Sequence, residues 1–307
     1  MSSYEYRKER FRKMKDAWQF EKMHDLLIHK MPPENLLNEL RFSIMLYISK
    51  AFYFDFTTEE DEFVRRLDES RQIRDNVTPN GGVVPKKEYQ LEYNMVLRSW
   101  SRIVDNLTKG DQTLLTKFRM TPNIRIKFGK ELEENLSRPL NTSYPHSDSW
   151  VEGPWCMNCF IPLLGDVKNN NLKFWKPKNE KSFSDDFLSV AATYGEMQWV
   201  LDHYQVDNAM QPLKGHVHLS DYALIHATNR ADNSGTRVSI DTTILVGDHD
   251  VHPDREPEYL DKLEIVGEDF LVVTGRSIED DFIVDKRSTF GHYTTGNLKI
   301  LRYNEGL

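Results

Sequence analysis

An α+β chain is predicted, in which a double-stranded β-helix core (jelly-roll, cupin-like) carries an N-terminal helical region packed on it. Three observations lead there. Apolar and charged positions interleave at helical spacing through residues 1–115; from about Pro122 the period shifts toward two; and the segments that follow are short, strand-like and separated by polar turns. Residues 116–307 are therefore assigned to the core, with edge strands toward the C-terminus. No repeat, low-complexity tract or linker divides the two parts.

The helical region reads in order. Helical interleaving runs from Tyr6 to Lys30, and Pro32-Pro33-Glu34-Asn35 introduces a second helix over Leu36 to Phe52. Thr57-Thr58-Glu59-Glu60 has the form of a capped start for a third helix reaching about Arg74. Asn80-Gly81-Gly82 breaks the pattern. A fourth helix, Lys86 to Leu107, then carries Tyr89, Tyr93, Val96, Trp100 and Val104 at spacings of three and four, an apolar stripe that reads as core packing.

The strands begin with Asn123 to Phe128, where polar and apolar residues alternate as on a half-buried strand. Ser143 to Trp150, the apolar Trp155 to Leu164, and Asn171 to Trp175 follow. Further strands are expected at Glu196 to His203, Gly215 to Leu219, Tyr222 to His226 and Arg237 to Val246. Phe270 to Val273 and Leu298 to Leu301 read as edge strands or a cover.

The chain has 307 residues, enough for a sizeable core, and a formal net charge of −8. That charge argues against a broad footprint for nucleic acid or an anionic membrane surface. The N-terminus lacks the apolar stretch of a signal peptide and no apolar run approaches a membrane span, so a cytoplasmic location is expected. The expected partner is a small-molecule substrate, with neither nucleic acid nor membrane; homo-oligomerisation stays open. The two cysteines, Cys156 and Cys159, are too few for a disulfide framework, and their C-x-x-C lies in a segment that reads as a buried strand, where the sulfurs face opposite sides. They read as small buried residues rather than a zinc or redox site.

His146-Ser147-Asp148, with His226 and Arg237 far downstream, carries the chemistry. Side chains of an extended segment alternate faces, so His146 and Asp148 both reach one metal while Ser147 points away. Two imidazoles and a carboxylate fill one face of an octahedral Fe(II) and leave the other to a chelating co-substrate and dioxygen. In Thr236-Arg237-Val238-Ser239-Ile240, Arg237 and Ser239 share a strand face. A guanidinium beside a hydroxyl suits the far carboxylate of a dicarboxylic keto acid. Arg125 and Lys127, also on one face, are candidates for an acidic group of the substrate or keto acid, with solvent exposure as the alternative. Trp150 and Trp175, with Trp155, are candidates for an apolar or sugar-stacking wall, with core packing as the alternative.

Rival constellations are weaker. In His252-Pro253-Asp254, with His292 and Arg302 beyond, the proline disfavours a regular strand. His216-Val217-His218 has cupin-like spacing, yet Tyr222 stands where a Glu ligand would be expected.

These residues resemble the non-haem Fe(II)/2-oxoglutarate-dependent dioxygenases, over roughly Ile124 to Leu245. Asn158-Cys159-Phe160-Ile161-Pro162-Leu163, Asn170-Asn171-Leu172, Asn229 and Thr236-Arg237-Val238-Ser239-Ile240-Asp241 are similar to the branch of the streptomycin-biosynthesis protein StrG. Lys173-Phe174-Trp175-Lys176 departs from that branch by lacking a nearby Glu, so the resemblance implies a class of substrate here and not a shared one. The resemblance implies a jelly-roll core, metal ligation by His146, Asp148 and His226, and Fe(II), 2-oxoglutarate and dioxygen as cofactors, with Asn158 joining Arg237 and Ser239 around the co-substrate. Hydroxylation of a small polar metabolite, such as a sugar, cyclitol or secondary-metabolite precursor, is the implied activity. Asp148 disfavours halogenation, since halogenating members carry a small residue there. The alternatives are a cupin-like metal isomerase or dioxygenase without a keto acid, and a jelly-roll binding module without catalysis.

Overall fold

The computed structural model describes residues 3–73, 77, 81–83, 85, 87–119, 122–129, 145–148, 156–178 and 202–246, with short strand segments at 270–272, 283–284 and 298–299. Helices and antiparallel strands share the chain. Helices α1 (Ser3–Trp18), α2 (Glu34–Ala51), α3 (Glu60–Glu69) and α4 (Gln90–Thr108) all precede the strands that carry the site. Strands β1 (Glu21–His24) and β2 (Leu27–Lys30) interrupt them. Then come β3 (Leu115–Arg119), β4 (Asn123–Lys127), β5 (Met157–Gly165), β6 (Asn170–Pro177), β7 (Tyr204–Val206), β8 (Val217–Asp221), β9 (His226–Arg230) and β10 (Arg237–Val246).

The α4 stripe forms as expected. Tyr93, Val96, Trp100 and Val104 are buried, and the Tyr93 ring lies 5.3 Å from Tyr47 of α2. Tyr89 falls just outside, in a short 3-10 turn over Lys87–Tyr89. The capped start of α3 takes a different form: Thr57 Oγ1 accepts the Glu59 amide, and Glu59 at the N-cap makes no side-chain cap bond.

The expectation of helix through Lys30 is overturned. Gln19 takes a left-handed φ of 57°, ending α1, and β1 and β2 form a hairpin. The physical reason is long-range: β2 pairs with β8, Leu27 opposite Ser220 and Lys30 opposite Val217, and buries Leu27 and Ile28. Hydrogen bonds to a strand far along the chain outweigh a local helical spacing.

Among the described residues the large sheet runs β1-β2-β8-β5-β10-β3-β11, where β11 is Phe270–Val272, with β4 also on β10; the small sheet runs β7-β6-β9. A backbone bridge adds His146 to the small sheet at His226. From β4 onward the chain thus visits the sheets alternately: β4 in the large, His146 in the small, β5 large, β6 and β7 small, β8 large, β9 small, β10 large. The expected strand at Glu196 to His203 lies almost wholly outside the described residues, which show β7 next to it.

Alternation along β4 and β10 sorts chemistry by face. Ile124, Ile126, Val238 and Ile240 join the same apolar core as Leu40, Ile44 and Trp100 of the helices. Arg125, Lys127, Arg237, Ser239 and Asp241 point the other way, into a cleft shared with the small sheet. The register sets Arg237 opposite Lys127 and Ser239 opposite Arg125 on β4. On its other side Arg237 faces Gly165, whose φ is 77° and where an added Cβ would fall 2.0 Å from the Thr236 carbonyl oxygen, so only glycine fits.

One further expectation changes. Tyr222 to Ile225 is no strand; it is a buried turn, and His226 opens β9 rather than closing a strand. The Asp221 carbonyl accepts the Leu224 amide and the Asp221 carboxylate accepts the Ala223 amide, so the local bonds close a turn despite the apolar composition.

Candidate metal centre

His146 and His226 face each other across an antiparallel bridge, exchanging backbone bonds of 3.0 and 2.9 Å. This pairing puts both imidazoles on one side, ring centroids 4.6 Å apart. Asp148, two residues on, completes the group: its carboxylate oxygens lie 3.9 Å from His146 Nε2 and 3.6 Å from His226 Nε2. One ligand atom from each residue falls within 4.8 Å of the others, close enough to hold a single ion. The histidines are buried, Asp148 is half-buried, and all three line one cleft. His226 Nδ1 stands 3.0 Å from the Leu224 carbonyl, which can only accept; Nδ1 therefore carries the proton and Nε2 is left as the ligand atom. Phe174 of β6 packs on His226, ring centroids 5.9 Å apart.

One cleft is lined both by this triad and by Arg237. Arg237 is 3% exposed, yet its Nε has no hydrogen-bond partner and its Nη1 reaches only Asn171 Oδ1, at 3.5 Å. Burial, and then the like charge of Arg125, push its pKa down to about 10. A buried cation this poorly satisfied is costly unless something else balances it. Asp241 sits nearby but is engaged by Arg125 and by Asn123 Nδ2 at 2.7 Å. A free-ended guanidinium and three side chains able to ligate a metal thus line the same cleft, together with Ser239 and Asn158.

Most of the expected site residues meet here. His146, Asp148, His226, Arg237, Ser239, Asn158, Arg125 and Lys127 all line one cleft. Trp175 does not: it follows Phe174, whose ring faces His226, and the pleat sends the next side chain to the opposite face. Trp150 and Trp155 lie outside the described residues, as do His252-Pro253-Asp254, His292 and Arg302. His216 and His218 stand apart from the metal group; with His29 they form a cluster between β2 and β8, His29 Nδ1 and His216 Nδ1 3.2 Å apart. Cys156 and Cys159 are both buried thiols outside any disulfide, in separate apolar clusters, and burial raises the Cys159 thiol pKa far above its usual value. Asp241 and Asn171 line the cleft too, and sequence reasoning misses their part in it. Asp241 shares the alternation that marks Arg237 and Ser239, so a signal exists for it; Asn171, which gives its Nδ2 to the Pro212 carbonyl, is marked only by the resemblance of Asn170-Asn171-Leu172.

No protein-family model and no curated protein matches this sequence. Solved structures similar to it include the non-haem α-ketoglutarate-dependent carbocyclase SnoK of nogalamycin biosynthesis, at 13% identity and TM-score 0.45, covering 85% of this chain and 96% of that one. The epimerase SnoN of the same biosynthesis matches at 13% identity and TM-score 0.38, covering 79% and 82%. AviO1 from Streptomyces viridochromogenes Tue57 matches at 14% and 0.39, covering 82% and 98%. Likenesses this distant assign neither family nor reaction to this chain. Among the described residues, no helix is long and apolar enough to cross a membrane.

Proposed function

We propose that this protein is an Fe(II)/2-oxoglutarate-dependent oxygenase of the jelly-roll superfamily that oxidises a small polar metabolite such as a sugar, cyclitol or secondary-metabolite precursor. The observation that carries the reading is the unsatisfied guanidinium of Arg237, buried in the same cleft as the His146, Asp148 and His226 triad. A metal site alone does not need that cation; a dicarboxylic chelator bound to the metal does. The alternation of strands between the two sheets supports the jelly-roll assignment. The segments quoted from Asn158 to Asp241 support placing it near the StrG branch.

His146, Asp148 and His226 would hold Fe(II) on one face, their donor set being that of non-haem iron oxygenases. Bound iron, 2-oxoglutarate and dioxygen together supply an oxidant able to take hydrogen from a C–H bond, with hydroxylation the expected outcome. The chain's own residues bind and orient. Arg237 would neutralise the distal carboxylate of 2-oxoglutarate, with Ser239 donating a hydrogen bond beside it. Asn158 offers an amide to the same region. Phe174, packed against His226, would help keep water from a metal held there. Arg125 is clamped to Asp241 and so presents a fixed donor edge to the substrate, with Lys127 two residues along the same face.

The test is an anaerobic titration of 2-oxoglutarate into the Fe(II)-loaded protein. A weak visible charge-transfer band should grow and saturate, because it requires keto oxygen and carboxylate on one iron. Succinate formation in air, with candidate polyols and sugars supplied, then follows turnover. Absence of both the band and succinate would rule the proposal out.

A further inference from the structure

The metal ligands lean on a single turn. Residues Asp221 to Ile225, from the last residue of β8 to the start of β9, are buried throughout, none more than 4% exposed. A buried turn must satisfy its own backbone groups. Asp221 Oδ1 accepts the Ala223 amide at 2.8 Å, and the Asp221 carbonyl accepts the Leu224 amide at 3.0 Å. The Asp221 amide donates to the Leu26 carbonyl at 3.1 Å, and the Tyr222 hydroxyl bonds Thr243 Oγ1 of β10. From α1, Arg7 Nη1 reaches the same Asp221 Oδ1 at 2.5 Å, both side chains being fully buried.

The carbonyls of this turn face the ligands. Leu224 O accepts from His226 Nδ1, which sets that ring's tautomer and plane. Tyr222 O accepts from Ser147 Oγ at 2.7 Å, and Ser147 stands between His146 and Asp148. A displacement of the turn therefore moves all three ligands together. A fully buried Arg–Asp pair often adds little net stability over apolar packing of the same volume.

We propose that the Asp221–Ile225 turn, fastened from behind by Arg7, is the positioning device of the metal centre, which makes α1 part of that centre's support. Arg7, Asp221 and Ser147 are positioning residues; none is a ligand. The proposal rests on the metal-binding reading of the triad. Removing outer partners of metal ligands typically lowers metal affinity about 10- to 100-fold.

The experiment uses Co(II) as a spectroscopic probe in the full chain. Affinity is read by competition with a chelating dye, and ligand geometry by the visible d–d spectrum. Wild type is compared with Ser147→Ala, with the charge-neutral double variant Arg7→Met/Asp221→Asn, and with Leu107→Ala, a core truncation in α4. Both positioning variants should bind Co(II) about 10- to 100-fold more weakly and with an altered spectrum. Leu107→Ala should melt earlier yet bind Co(II) as wild type does. Folded Ser147→Ala with unaltered affinity and spectrum overturns the proposal, and so does Leu107→Ala weakening Co(II) as much as the positioning variants. Should the double variant not fold, Ser147→Ala decides alone. Wild type that binds no Co(II) at all overturns the metal reading itself, and the positioning role with it.

Discussion

Replacing Arg237 with leucine should improve the empty protein and ruin the loaded one. In the fold its pKa falls well below the usual guanidinium value, to about 10, mainly through burial and then through Arg125. At about 1.36 kcal/mol per pKa unit, that shift is a penalty on the order of 3 kcal/mol for keeping the cation inside. The sign follows from the charge type. A base whose folded pKa is depressed costs stability wherever it is protonated in both states, so the full penalty applies below about pH 10 and fades only above it. Between pH 6 and 9 the apo Arg237→Leu protein should therefore unfold at higher denaturant than wild type, by an amount that does not change with pH. Loaded with Fe(II), the same variant loses the partner of a buried carboxylate, typically worth about 2–5 kcal/mol. Affinity for 2-oxoglutarate should drop by roughly 30- to several-thousand-fold, at about 1.4 kcal/mol per decade, while Fe(II) affinity holds. Urea unfolding of the apo proteins and anaerobic 2-oxoglutarate titration of the iron-loaded ones measure the two halves. The reasoning fails if the apo variant is less stable than wild type, or if it binds 2-oxoglutarate as tightly.

His146→Ala, Asp148→Ala and His226→Ala should each lose most bound Fe(II) while staying folded, and metal analysis that finds unchanged iron in any two of them ends the triad assignment. Cys156→Ser with Cys159→Ser should keep wild-type iron content, and a thiol reagent should label Cys159 only after unfolding, because burial holds its thiol protonated; a loss of iron would revive the C-x-x-C reading. Stability should fall with acid: burial, with His29 and His216 close by, lowers the His218 pKa from 6.5 to about 3, so the unfolded chain takes up a proton that the fold refuses. Each pH unit below about 6.5 should cost about 1.4 kcal/mol, down to about pH 3, with His216 lowered in the same direction. Urea titrations of wild type and His218→Gln across pH 4–7 test this, and equal slopes would refute it.

Local pattern was enough for whatever depends on which face a side chain takes. The alternation of β4 and β10 put Arg125 with Lys127 and Arg237 with Ser239 before any strand was paired, and the spacing of His146 and Asp148 put two ligands on one side. The stripe of α4 likewise followed from helical periodicity, and Trp100 at its centre is fully buried. Periodicity is a property of neighbours along the chain, so it carries no record of what lies across a sheet. Phe20 to Lys30 is compatible with a helix until β8 offers hydrogen bonds to Leu27 through Lys30. Tyr222 to Ile225 has a strand's composition, yet Asp221 and Arg7 close it as a turn. Trp175 carries an aromatic ring suited to a site wall, and the pleat of β6 turns it away. The free end of Arg237 was likewise invisible in the sequence. Whether a buried cation is satisfied depends on Asp241 being engaged by Arg125 and Asn123, and only the register of β4 on β10 decides that.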